Sequence, residues 1–128
     1  MKLNWLDRAT VHAPYMVLCL NEREYLAAAK HCKIKNPAHH WLGRECNGAC
    51  THTWASDDRL ACIVCLDPRP GLDGIDVCGI LAHEAVHVFQ QLCDSIGESR
   101  PSVEFEAYSI GRIAERLMRE YARRMGHA

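Results

Sequence analysis

The sequence has little net charge, no long hydrophobic run, no internal repeat and no low-complexity tract. Its 128 residues carry 15 basic and 16 acidic side chains, which leaves a formal net charge of −1. This balance argues against nucleic-acid binding by bulk electrostatics, because such binding depends on an excess of positive charge. No apolar stretch approaches the ~20 residues that cross a bilayer. The composition predicts one globular domain over residues 1–128, without a membrane segment.

The first residues do not have the pattern of a secretory signal peptide. Charged side chains and Pro14 occupy the positions where a signal peptide has its apolar stretch. We therefore expect a cytoplasmic protein, in which the eight cysteines stay reduced rather than forming a disulfide framework. Five cysteines lie in apolar stretches and are expected to be buried thiols: Cys19, Cys62, Cys65, Cys78 and Cys93.

Short apolar runs predict three β-strands in the first half of the chain. The first strand is expected at 15–20, and the other two, at 51–54 and 60–66, are expected to form a hairpin around a turn at 56–58. Between the first strand and the hairpin, a helix is predicted to start at Asn21 and continue to about Cys32. A long loop over 33–50 follows it, and loops of this length tend to be functional.

The second half of the chain has helical periodicity. Apolar residues recur at steps of three and four from about Ile75, and Gly97 is expected to end the helix. A last helix is predicted to begin near Pro101 or Ser102. The elements together predict an α+β fold.

The first of these two helices contains the run His83-Glu84-Ala85-Val86-His87. Residues four apart lie above one another on a helix face, so the two imidazoles can converge on one metal ion. Glu84 is displaced by one residue, which lets it reach the water in the open position of the metal. The run predicts a Zn²⁺ site with His83 and His87 as ligands and Glu84 as the catalytic general base. The alternative is a pair of helix histidines satisfied by hydrogen bonds.

A catalytic zinc site usually needs a third ligand from the protein. Cys93 stands six residues after His87, where the metzincin pattern has its third histidine, so that pattern does not apply. A carboxylate from the last helix is the other standard solution, and the candidates are Glu104 and Glu106.

These motifs resemble the gluzincin arrangement, in which H-E-x-x-H on one helix is completed by a Glu on the following helix. The segment from Glu104 to Gly111 is similar to the E-x-x-A-D-x-x-G run of membrane-bound heat-shock and prenyl-protein zinc peptidases, with Tyr108 in the place of Asp. The run Glu106-Ala107-x-Ser109 is similar to the E-A-x-S of thermolysin-like enzymes. Over residues 50–115, the chain also resembles small phage and prophage H-E-A-V-H proteins that continue into E-F-E-A-Y.

The resemblance implies a minimal zincin-like domain, in which a small antiparallel β-sheet packs on the active-site helix and on a following Glu-bearing helix. It implies a zinc metallopeptidase whose Zn²⁺, held by His83, His87 and a carboxylate, carries a water activated by Glu84 that hydrolyses a peptide or protein substrate. Glu104 is our preferred third ligand and Glu106 its rival, because Glu104 shares a helix face with small residues that permit close helix approach.

Two further roles follow from the resemblance. Tyr108 is a candidate to hydrogen-bond a metal ligand or the transition state. The strand at 60–66 is expected to form the edge along which an extended peptide adds as a further strand.

Two other features leave alternatives open. Cys46 and Cys50, with His52 and the neighbouring His39 and His40, have the composition of a second zinc site. The last helix carries a basic stripe, which is either a solvated face or a docking surface: Arg112, Arg116, Arg119 and Arg123. A docking surface gives the alternative function, a non-catalytic zinc-stabilised binding module for a nucleic acid or an acidic protein partner.

Overall fold

The computed structural model describes residues 2–6, 15–43, 48–56 and 59–126. Its elements follow in the order strand, helix, strand, strand, helix, helix, so the mixed α+β class is confirmed. The chain divides into two compact units, residues 1–70 and residues 71–128. One domain over 1–128 therefore stays a prediction. No helix in the described ranges combines the length and the apolar character that a bilayer crossing requires.

The first unit is built on a three-stranded sheet with the order β1-β3-β2. Its strands are β1 (Tyr15–Cys19), β2 (Ala49–Ser56) and β3 (Arg59–Leu66). β2 and β3 pair antiparallel, which confirms the predicted hairpin, although turn residues 57 and 58 lie outside the described residues. β1 pairs parallel with β3, so an antiparallel sheet throughout was a wrong prediction. The connection between β1 and β3 is long enough to bring the chain back to the same end of the sheet, as parallel pairing requires.

β3 is the central strand and is hydrogen-bonded to a neighbour on each side. Leu60–Leu66 are all buried, which explains why the strand is continuously apolar instead of alternating. The prediction that this strand offers an edge to an extended peptide is wrong, because both of its edges are already paired. Within the described ranges, the outer strands are β1 and β2, and an antiparallel bridge from Leu6 to Met16 lies against β1.

Helix α1 (Glu22–His31) covers one face of the sheet. It begins as predicted, because the Asn21 side chain accepts a hydrogen bond from the Glu24 N–H at 2.9 Å. The Glu24 carboxylate in turn accepts from the Leu20 N–H at 3.0 Å, so the two side chains fix the entry into the helix. Buried Tyr25 and Ala28 of α1 share a core with residues of β1 and β3.

The second unit is a pair of helices, α2 (Gly74–Ile96) and α3 (Val103–Arg124), which contact each other. Asp73 and Asp76 form a reciprocal capping box at the start of α2, and Gly97 ends it in the left-handed conformation with φ 74°. Ser102 caps α3 by accepting from the Phe105 N–H at 3.2 Å. Both helices lie where the periodicity places them.

Four of the five cysteines expected in the core are buried there: Cys19, Cys62, Cys65 and Cys93. Burial raises the pKa of the Cys62 thiol to about 12, so this thiol is protonated and inert at neutral pH. Burial was a wrong prediction for Cys78, which is exposed. Cys78 follows buried Val77 on α2, and one residue turns the side chain by about 100°.

The cap of α1 gives a test of the first unit. We expect Asn21→Ala to lower the free energy of unfolding by about 1 kcal/mol, because the Glu24 N–H loses its acceptor. Asn21→Ser keeps a capping oxygen and serves as the matched control, with stability close to that of the wild type. Urea denaturation followed by far-UV circular dichroism measures both. Equal losses in the two variants would show that the cap does not stabilise the helix.

Candidate metal centre

The imidazoles of His83 and His87 approach each other on the exposed face of α2. Their Nε2 atoms lie 3.2 Å apart, and their ring centroids are separated by 4.8 Å at an interplanar angle of 75°. The approach follows from the helix, because residues four apart differ in direction by only about 40°. The two residues predicted as a ligand pair are therefore adjacent and accessible.

The separation of the two Nε2 atoms fits a shared zinc ion. Two nitrogen ligands at the usual Zn–N distance of about 2.0–2.1 Å on a tetrahedral ion lie about 3.3 Å apart. The observed 3.2 Å between His83 and His87 is close to that value. The same distance also fits the alternative, a pair of hydrogen-bonded helix histidines, since one neutral imidazole can donate to the other.

Gln90 fixes the orientation of the second imidazole. The Nδ1–H of His87 donates to Oε1 of Gln90 at 3.1 Å, one helical turn further along α2. A proton held on Nδ1 leaves the Nε2 lone pair of the neutral ring facing His83. Sequence reasoning missed Gln90, although its spacing of three residues from His87 on a helix was a usable signal.

Glu84 lies on the buried side of the same helix and is 5% exposed. Its direction differs by about 100° from that of His83 and by about 60° from that of His87. The carboxylate therefore belongs to the boundary between the exposed imidazole face and the buried face of α2. Burial of an acidic side chain is costly unless it is paired, and Glu84 has interaction partners in the structure.

The carboxylates predicted as third ligand are both exposed near the start of α3. In the described part of the chain, no three His, Cys, Asp or Glu side chains are grouped closely enough to hold a metal ion. Neither Glu104 nor Glu106 is therefore grouped with the two imidazoles. The side chain of Tyr108, the predicted hydrogen-bonding partner at the centre, is 76% exposed.

The contact between α2 and α3 explains this separation. The rings of Phe89 and Phe105 lie 5.6 Å apart between the two helices. Phe89 is turned by about 120–160° around α2 from the two imidazoles. The described ring contact with α3 therefore lies on another side of α2 from His83 and His87.

Of the two carboxylates, Glu106 has an electrostatic effect on α2. Burial raises the pKa of the Cys93 thiol, and the charges of Glu98, Glu106 and Asp94 raise it further. Glu104 is not among those charges. On α3, Glu106 also points in the direction of Ile110 and Leu117, within about 40°, whereas Glu104 is turned away from them by about 120–140°.

The predicted second zinc site falls in the first unit. Cys46 lies outside the described residues. The Nε2–H of His52 donates to the Trp41 carbonyl oxygen at 2.7 Å, and the His52 ring lies 4.6 Å from the Tyr25 ring. These contacts make His52 a packed side chain, and it does not group with Cys50 and a third described ligand.

The basic stripe of α3 is exposed along its length, and ion pairs occupy part of it. Nε of Arg119 donates to Glu115 at 2.9 Å. Arg123 donates two hydrogen bonds, at 2.7 and 2.9 Å, to the buried carboxylate of Glu120. The Glu120 contact raises the pKa of Arg123. Carboxylates so placed reduce the positive potential that a docking surface for an anionic partner would need.

No protein-family model, no curated protein and no solved structure matches the chain. The gluzincin resemblance therefore depends on the residues of the motifs alone.

The hydrogen bond to Gln90 predicts the tautomers of the metal-free pair. We expect neutral His87 to carry its proton on Nδ1 and neutral His83 to carry its proton on Nε2, because one ring must donate across the 3.2 Å contact. Two-dimensional ¹⁵N–¹H NMR of the imidazoles distinguishes the tautomers. Gln90→Leu is expected to remove the Nδ1 preference of His87, whereas Gln91→Leu, its neighbour, is the control that keeps it. A wild-type His87 protonated on Nε2 would contradict the assigned hydrogen bond.

Proposed function

We propose that the protein is a zinc-dependent peptidase whose centre is the His83–His87 pair with Glu84 as general base. The observation that carries the proposal is the 3.2 Å separation of the two Nε2 atoms, which suits two ligands of one tetrahedral ion. Both imidazoles are exposed, so a metal ion and a substrate can reach them. Gln90 supports the proposal because it holds the Nε2 lone pair of His87 toward the shared position.

When bound, zinc lowers the pKa of a water molecule to ~7 and polarises a carbonyl group. Glu84 is suited to the remaining work by its place on α2, directly after His83 and at the boundary between the exposed imidazole face and the buried face. It accepts the proton of the attacking water and later delivers a proton to the leaving amine. His83 and His87 would hold the zinc ion, and the substrate is a peptide bond in a peptide or a protein.

The third ligand is proposed from the last helix, as the sequence motifs indicate. The match of the α3 sequence to E-x-x-A-x-x-x-G favours Glu104. Glu106 is favoured because its charge raises the pKa of Cys93 on α2 and because it points in the same direction as Ile110 and Leu117 on α3. A carboxylate of α3 can complete the site only if its side chain moves from its present position, where it is not grouped with the two imidazoles. The choice between Glu104 and Glu106 is therefore open to direct measurement of bound metal.

Metal content tests the centre. We expect the wild type to bind about one zinc per chain and His87→Ala to lose it, because one imidazole cannot hold the ion alone. Of Glu104→Ala and Glu106→Ala, only the variant without the true ligand should lose zinc. Inductively coupled plasma mass spectrometry after dialysis against zinc gives the ratio. His31→Ala, which removes an exposed histidine of α1, is the matched control.

The outcomes of that series are distinct. Zinc retained in Glu104→Ala and lost in Glu106→Ala assigns the third ligand to Glu106, and the reverse result assigns it to Glu104. If both variants retain zinc, the third ligand is neither Glu104 nor Glu106. The absence of zinc from the wild type contradicts the proposed function and leaves the pair as hydrogen-bonded surface histidines.

Substitution of the base tests the chemistry separately from the metal. We expect Glu84→Gln to keep its zinc and to lower peptide hydrolysis by about 10²–10⁴-fold, because the amide accepts no proton from water. Cleavage of a quenched fluorescent peptide library measures the rate, with and without a chelator and with zinc restored. Glu98→Gln, which neutralises an exposed carboxylate just beyond α2, is the control. Equal rates for Glu84→Gln and the wild type would exclude Glu84 as the base.

A further inference from the structure

Three cysteines lie side by side across the sheet of the first unit. Cys19 of β1 is the partner of Cys65 of β3, and Cys65 is at the same time the partner of Cys50 of β2. Directly paired residues on neighbouring strands present their side chains on the same face of a sheet. We call Cys19, Cys65 and Cys50 the thiol row.

The thiol row faces the side of the sheet that α1 covers. Cys19 and Cys65 belong to the core that contains Tyr25 of α1. Burial raises the pKa of the Tyr25 hydroxyl, and charges on Cys65, Cys50 and Cys19 would raise it further. All three thiols are therefore close enough to influence the same ring hydroxyl.

The thiol row is not arranged as a metal site. Its outer members are two strand spacings apart, about 10 Å, which is too far for ligands of one ion. Consistently, the described side chains contain no group of three metal ligands. The antiparallel pair Cys50 and Cys65, however, has the spacing of a disulfide. Opposite residues on antiparallel strands have Cα atoms about 4.5–5.5 Å apart, and disulfides span about 4.4–6.8 Å.

Accessibility distinguishes the two pairs. Cys19 and Cys65 are 0% exposed, whereas Cys50 is partly exposed. The backbone of Gly43 lies over the Cys50 thiol, because a Cβ added to Gly43 would be 3.1 Å from Cys50 Sγ. An oxidant therefore meets Cys50 first, and a small molecule such as a peroxide reaches it more readily than a bulky thiol reagent.

We propose that Cys50 and Cys65 are a peroxide-oxidisable pair that closes into a disulfide between β2 and β3. The Cys50 thiolate attacks one oxygen of hydrogen peroxide, so that an S–O bond forms, the O–O bond breaks and hydroxide leaves as water after protonation. Cys65 then attacks the sulfur of the Cys50 sulfenic acid, the S–S bond forms and a second water leaves. Two thiols and one peroxide thus become one disulfide and two waters.

Peroxide treatment of the full chain tests this pair. Dilute wild-type protein is treated with hydrogen peroxide, the remaining thiols are alkylated, and the intact mass and disulfide-linked peptides are measured. We expect the oxidised protein to carry two alkyl groups fewer than the untreated protein and to yield a Cys50–Cys65 linked peptide that dithiothreitol releases. The experiment is repeated in Cys78→Ser, which removes an exposed thiol outside the thiol row.

Variants identify the partners. Cys50→Ser is expected to lose the linkage completely, whereas Cys19→Ser is expected to retain it. In the wild type, a sulfenic-acid trap added at early times should label Cys50, which tests the first step even if Cys65→Ser does not fold. A Cys19–Cys65 or Cys46–Cys50 linkage, or sulfinic acid at Cys50 without any linkage, would overturn the proposal.

Discussion

The rotation of about 100° per residue along an α-helix is the constraint on which the candidate centre depends. It places His83 and His87 on the exposed face of α2, within hydrogen-bonding distance of each other. It also turns Glu84, the residue between them in the motif, toward the buried face. Two exposed imidazoles and one buried carboxylate thus lie close together on α2. The chemistry we propose uses the two accessible imidazoles as metal ligands and the neighbouring carboxylate as the general base.

The relation between α2 and α3 sets the main restriction on that centre. The two helices are joined by the short connection 97–102 and meet through Phe89 and Phe105. This contact lies away from the imidazoles, so the carboxylates near the start of α3 are not grouped with them among the described residues. The proposed metal centre consequently has two ligands on one helix, while its third ligand depends on how a side chain of the neighbouring helix is arranged.

The sequence predicts local features well, because each depends on residues close together in the chain. The cap at Asn21, the hairpin of β2 and β3, the stop at Gly97 and the adjacency of His83 and His87 all follow from short-range patterns. The parallel pairing of β1 does not, since an apolar run contains no information about strand direction. For the same reason, the run at 60–66 could not be recognised as the central strand. The faces through which α2 and α3 meet also depend on packing, which no motif spacing contains.

The parallel pairing of β1 with β3 also affects the order in which the first unit can fold. Ser56 pairs with Arg59, three residues away, whereas Tyr15 pairs with Ala61, 46 residues away. Closing the longer segment costs more chain entropy before any contact compensates for it. The hairpin and α1 can form from local contacts, but the edge made by β1 must wait for a long-range encounter. Until that encounter, one side of the apolar strand β3 lacks its neighbour, and this is the interval in which the unit is most prone to pair with another chain.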